Sequence, residues 1–111
     1  MEINTFEELQ TVLLIIPKNE VFTDINLNLG LEKCLVVIIS DYIIPFLKDS
    51  ILSALKTRQD INLITHKQYG KFYIIVNQVK PIDVNNILTV TRGYGGIKLD
   101  FNEETNVLRI N

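Results

Sequence analysis

Cysteine is nearly absent from this chain of 111 residues, which contains only Cys34. A single cysteine excludes a disulfide bond within the chain, and it excludes a metal site built from several cysteines. Cys34 begins an apolar run that extends to Ile39, so we expect a small buried thiol there. The chain is therefore predicted to fold without covalent cross-links, in the cytoplasm.

Long hydrophobic runs are missing as well. The longest, over residues 12–16 and 34–39, fall far short of the roughly 20 apolar residues that a membrane-spanning helix needs. Glu2, Glu7 and Glu8 stand where a secretory signal would carry basic residues. We expect a soluble protein that makes no membrane contact.

Residues that support catalysis are sparse. The only histidine, His66, is predicted to lie in a solvated hairpin turn, and the serines lack the flanking glycines of a nucleophile elbow. The sequence has no glycine-rich phosphate-binding loop. We therefore expect no catalytic residues, no cofactor and no metal site. A small undetected hydrolase or nuclease stands third among the functional hypotheses.

The remaining composition is that of a globular protein, with 47% hydrophobic and 22% charged residues. This length predicts a single domain over residues 1–111. A first helix is predicted to begin with a capping box, Thr5 to Glu8, and to stop at Pro17. A second is predicted from Pro45, with the buried stripe Ile44, Leu47, Ile51 and Leu55.

A third, weaker helix is predicted after Pro81, with Asp83 as its N-cap and a contact between Ile82 and Ile87. Residues 89–91 could equally be extended. Strand patterns cover residues 25–29, 34–39, 61–65, 72–79, 97–101 and 107–110. The turns between them, at 30–33, 67–70 and 102–106, predict three hairpins.

The order of these elements predicts an α+β fold of two or three helices and a mostly antiparallel sheet of about six strands built from hairpins. Helix and hairpin recur three times, and residues 24–27 and 60–63 share the sequence Asp-Ile-Asn-Leu. A threefold helix–hairpin repeat is one interpretation, with all helices on one face of the sheet. A chance recurrence within an ordinary α+β fold is the other.

The strands at 34–39 and 72–76 are apolar at consecutive positions, so both of their faces should be buried. If all helices cover one face, something else must cover the other. We expect a homodimer or a larger protein partner to do so, because large exposed apolar patches mark interfaces.

Charge is distributed unevenly along the chain, whose net charge is −2. Residues 48–98 carry eight basic and three acidic side chains, a balance of +5. Two segments within this stretch combine cations with an aromatic ring, namely loop 66–71 with His66, Lys67 and Lys71, and loop 92–96 with Arg92 and Tyr94. Such pairing suits stacking on unpaired bases.

The sequence thus favours a small non-catalytic binding or regulatory module that acts through protein contacts. Small Ile- and Asn-rich chains of this kind are also typical of phage or mobile-element proteins that block a host factor. The alternative is nucleic-acid or nucleotide binding through loops 66–71 and 92–96, although a pI near 5.3 argues against it.

Overall fold

The computed structural model describes residues 2–15, 26–27, 33–40, 43–68 and 70–111. Its helices are α1 (Phe6–Ile15), α2 (Ile44–Leu55) and α3 (Pro81–Arg92). Its strands are β1 (Glu2–Ile3), β2 (Asn26–Leu27), β3 (Leu35–Ser40), β4 (Asn62–Gln68), β5 (Lys71–Asn77), β6 (Leu99–Asn102) and β7 (Val107–Ile110). The fold is α+β, as the sequence predicts.

Five strands form the main sheet in the order β4-β5-β3-β7-β6. Three of its four pairings are antiparallel, and only β3 and β7 run parallel. This confirms the prediction of a mostly antiparallel sheet. The parallel pair arises because two helices and three strands separate β3 from β7 along the chain, so the connection is a long crossover and not a turn.

Both faces of the central strands are buried, as their unbroken apolar runs predict. Leu35, Val37 and Ile39 of β3 face one core, which they share with α2 and α3. Val36 and Ile38 face a second core, which they share with α1. The alternation of side chains along a strand assigns each residue to its core.

Helix α1 therefore lies on the opposite face of the sheet from α2 and α3. Its Phe6, Leu9 and Val12 are buried against β3 and β5. The expectation that all three helices cover one face is wrong. The apolar face that was expected to need a second molecule is covered by α1 from the same chain.

The helix–hairpin repeat holds in only two of its three predicted units. Strands β4 and β5 form one hairpin, and β6 and β7 form another. The predicted first hairpin is wrong in its pairing, because Asn26–Leu27 pairs in parallel with Glu2–Ile3, while β3 pairs with β5 and β7. Residues 28–32, which hold the end of the predicted strand 25–29 and most of the predicted turn 30–33, lie outside the described residues, as does Pro17.

The helix starts follow from local hydrogen bonds. At α1 the Glu8 amide donates to the Thr5 hydroxyl at 3.1 Å, which confirms the predicted cap. At α3 the N-cap is Lys80 and not Asp83. Asp83 lies one turn further on, where its carboxylate accepts from the Lys80 amide at 2.8 Å. Ile82 is consequently inside the helix and 54% exposed, so it makes no staple with the buried Ile87.

Candidate functional site at the Ser40 end of the sheet

The two loops singled out in the sequence lie at the same end of the sheet. Strand β3 ends at Ser40, which stands opposite Lys71, the first residue of β5. Helix α2 begins just beyond Ser40, and α3 runs back toward this end before β6 starts. Leu99, the first residue of β6, pairs with Ile110, which is next to Ile39. Loops 66–71 and 92–96 therefore share one end of the molecule.

Tyr94 is tied to this end by its hydroxyl group. The hydroxyl donates to the Phe46 carbonyl oxygen at 2.9 Å and lies 3.2 Å from the Ser50 hydroxyl. These bonds join the loop after α3 to the first turns of α2. The Tyr94 ring stays 36% exposed, so it is held in place while one part of it faces solvent.

Phe46 is the functional candidate that sequence reasoning missed. Its side chain is 71% exposed, the highest value among the large hydrophobic residues that the structure describes as exposed. The neighbouring Leu47 lies on the buried stripe of α2, and a residue one position away points about 100° around the helix axis. That offset is the signal that could have identified an exposed aromatic ring.

Three cations lie at this end without an ion pair to any described residue, namely Lys67, Arg92 and Lys71, of which Lys71 is on the α1 face of the sheet. Lys67 pairs across the hairpin with Phe72, and the Lys48 ammonium stands 5.3 Å from the centre of that ring. Two like charges thus flank one half-buried phenylalanine. We call Phe46, Lys67, Lys71, Arg92 and Tyr94 together the end surface.

The opposite end of the sheet is electrostatically different, because several of its charges are paired. Arg58 lies 3.2 Å from the buried Asp83 and 3.7 Å from Asp60. Lys80 donates to Asp60 at 3.2 Å, and this hydrogen bond holds the pKa of Asp60 below its ordinary value of 3.8. The ion pairs found among the described residues therefore lie away from the end surface. The acidic residue of α2, the exposed Asp49, stands three residues after Phe46 in the sequence.

His66 is placed differently from the prediction. It lies within β4 opposite Tyr73 and not in the turn, because β4 continues to Gln68. Its ring centre is 6.2 Å from that of Tyr73, whose side chain belongs to the α1 core. Alternation along β4 sends Lys67 to the other face. The structure thus separates His66 from Lys67, whereas Lys71, two residues before Tyr73 on β5, lies on the same face as His66.

Neither a metal centre nor a spanning helix emerges within the described residues. No three His, Cys, Asp or Glu side chains there come together in a group that could hold a metal ion. No helix in that part of the chain is both long and apolar enough to cross a bilayer. Cys34 is fully buried, as predicted, with its thiol 3.5 Å from the Asn77 side-chain oxygen.

Comparison with known proteins returns no relative. No protein-family model matches the chain, and neither the curated proteins nor the solved structures contain a match. Function must therefore be inferred from the geometry of the end surface.

Proposed function

We propose that this chain is a small non-catalytic binding module that docks a protein partner on the end surface. The observation that carries the proposal is Phe46, an aromatic side chain 71% exposed on a well-formed helix. Exposing such a ring to water is unfavourable. Aromatic residues that fill a pocket on a partner are the side chains that contribute most to protein interfaces.

The surroundings of Phe46 support the same proposal. The cations Lys67, Lys71 and Arg92, which have no ion pair among the described residues, favour a partner surface with negative charge. Such complementarity would accelerate association and select against basic proteins. The hydrogen bond from Tyr94 to the Phe46 carbonyl fixes the two aromatic residues relative to each other. A surface that is ordered before binding loses less conformational entropy when it binds.

The partner is proposed to be a protein of the same cytoplasm. If the chain comes from a phage or mobile element, this partner would be a host factor whose activity the docked module blocks. The single buried thiol of Cys34 supports a reducing compartment.

The test compares two exposed hydrophobic residues at opposite ends of the molecule. Phe46 and Ile82 are 71% and 54% exposed, and neither is needed to fill the core. Affinity-tagged wild type, Phe46→Glu and Ile82→Glu are expressed in the source cells, and co-purifying proteins are quantified. We expect one acidic protein to be lost with Phe46→Glu and kept with Ile82→Glu. Equal recovery with both variants would contradict the proposal.

Nucleic-acid binding is the second candidate, favoured by the convergence of three cations and two exposed aromatic rings at one end. Single-stranded nucleic acid is bound by such combinations of stacking rings and backbone-neutralising cations. Fluorescence anisotropy of labelled oligonucleotides at low and moderate salt tests it. Counterion release predicts affinity that falls steeply with salt.

Charge-matched double variants locate any such binding. Lys67→Glu with Arg92→Glu alters the end surface, and Lys33→Glu with Lys56→Glu makes the same charge change at exposed positions of the opposite end. Loss of oligonucleotide binding in the first pair alone would support the second candidate. A flat titration of the wild type at low salt would remove it.

A further inference from the structure

Strand β6 is an edge strand that no other described element covers. It is the last strand of the sheet, and all four of its residues are exposed. Leu99 and Phe101 are each 40% exposed. Edge strands normally discourage pairing with another chain through charge, proline or a covering element. An edge with two exposed apolar side chains is instead suited to pairing.

The hydrogen bonds beside β6 determine which backbone groups face outward. Lys98 and Asn111 exchange both of their amide hydrogen bonds, at 2.7 and 2.9 Å. In an antiparallel ladder these mutually bonded pairs alternate with non-bonded pairs. The backbone N–H and C=O groups of Leu99 and Phe101 therefore point to the open edge.

The side chains along this edge divide between the two faces of the sheet. Leu99 and Phe101 stand opposite Ile110 and Leu108, which belong to the core shared with α2 and α3. Lys98 and Asp100 consequently lie on the α1 face. The edge thus has an apolar row on one face and a row containing both charge signs on the other.

We propose that a second copy of this chain pairs antiparallel with β6, about a twofold axis at Leu99. In this register Leu99 bonds to Leu99 of the second copy through both outward backbone groups. Lys98 then lies opposite Asp100 of the second copy, and this happens twice because the pairing is symmetric. These are non-bonded positions, where the opposed side chains are closest.

Charge selects this register over its neighbours. A shift by one residue places the twofold axis at Asp100 and brings two carboxylates directly opposite each other, which is destabilising. A further shift centres on Phe101 and leaves Asp100 opposite Asn102, while Leu99 faces Glu103 in the turn after β6. Only the register at Leu99 pairs both Lys98 and Asp100 with opposite charge and keeps Leu99 against an apolar side chain.

The pairing would join two five-stranded sheets into one of ten strands. This dimer uses an edge of the sheet, whereas the apolar face first considered for a partner is already covered by α1. Phe46 takes no part in this pairing. A purified chain therefore tests it without any other partner.

Analytical ultracentrifugation across a concentration series measures the dimer dissociation constant. Lys98→Asp and Asp100→Lys each replace two attractive pairs with two repulsive ones, so either variant should weaken dimerisation about tenfold or more. The double variant with both substitutions should dimerise like the wild type. A mixture of the two single variants should form a heterodimer, because each supplies the charge that the other lacks.

These combinations separate a folding defect from a pairing defect. The double variant retains the Asp100→Lys change, which places a lysine opposite Arg109 within the same chain. Any folding defect that this repulsion causes is therefore still present in the double variant, so recovery of its dimer cannot reflect improved folding alone. Leu99→Pro removes the outward-facing amide, at an edge position where proline is tolerated, and should abolish the dimer while circular dichroism stays unchanged. A wild type that stays monomeric at all concentrations overturns the proposal, as does a double variant as weak as the single ones.

Discussion

At the scale of single residues, Asp83 performs two tasks that its position in the sequence only half indicates. Its carboxylate accepts a hydrogen bond from the Lys80 amide and lies beside the Arg58 guanidinium, while its side chain is fully buried. The pattern Pro-Ile-Asp indicates an acidic residue near a helix start. The pairing with Arg58 could not be predicted, because it depends on how α2 packs against α3.

Asp83→Ala should lower the free energy of unfolding by about 3 kcal/mol, because it leaves a largely buried guanidinium without its main partner. The side chain of Arg58 is 11% exposed, and Asp60 at 3.7 Å offers only partial compensation. Urea denaturation followed by circular dichroism measures the change. Lys80→Ala is the control, because it removes only an exposed ion pair and should have no measurable effect. Similar losses in both variants would contradict the assigned importance of the buried pair.

Tyr73 gives the stability of the protein a dependence on alkaline pH. Burial raises the pKa of its hydroxyl above the usual 10.0, although the charge of Arg109 opposes the shift. As the pH rises, the Tyr73 hydroxyl therefore loses its proton in the unfolded chain at a lower pH than in the folded protein. The associated stability is fully present below pH 10.0 and is lost as the pH rises through the raised pKa. Tyr73→Phe should show a smaller loss of stability over that range, measured by urea midpoints from neutral to alkaline pH. An identical slope in both proteins would exclude Tyr73 as the cause.

At the scale of elements, helix caps and hydrophobic periodicity predicted where helices and strands lie better than they predicted which strands pair. The Thr5 cap, the Pro45 start of α2 and the closing hairpin of β6 and β7 all follow from local rules, and the structure has them. The parallel pairing of β3 with β7 does not, because it joins segments that are distant in sequence. A local pattern also could not place His66 in a strand, since the end of β4 at Gln68 is set by the register of the whole hairpin.

Helix α1 is expected to stabilise the molecule by covering the second core. Leu9 is fully buried there, so Leu9→Ala should lower the free energy of unfolding by about 3 kcal/mol through lost burial and a cavity. The adjacent Gln10 is exposed, and Gln10→Ala should leave the urea midpoint unchanged. If Leu9→Ala were as stable as the wild type, α1 would not be packed on the sheet in solution.

At the scale of the whole molecule, the way in which the two faces of the sheet are covered explains why the sequence predicted a partner on a face that α1 already covers. Unbroken apolar strands correctly predict that both faces of β3 and β5 are buried. They do not reveal which element covers each face. Phe6, Leu9 and Val12 are compatible with either side, and only the packed structure assigns them to the face away from α2.

In the candidate site, too, the sequence identifies some of the residues, whereas only the structure shows how they come together. Lys67, Lys71, Arg92 and Tyr94 could be identified from sequence because cations and an aromatic residue stand close together along the chain. Their meeting at the Ser40 end follows from the sheet order. Phe46 joins them through a hydrogen bond across 48 residues of sequence separation, which no local pattern contains.

If the end surface around Phe46 docks a partner protein in the cell, a photoreactive phenylalanine analogue placed at position 46 should crosslink to that partner. The same analogue at position 82 is the control. Both positions are exposed, so both probes can reach a bound protein. We predict one discrete crosslinked species from position 46 and none from position 82. Crosslinking of the same partner from position 82 alone, or no discrete species from position 46, would contradict docking on the end surface.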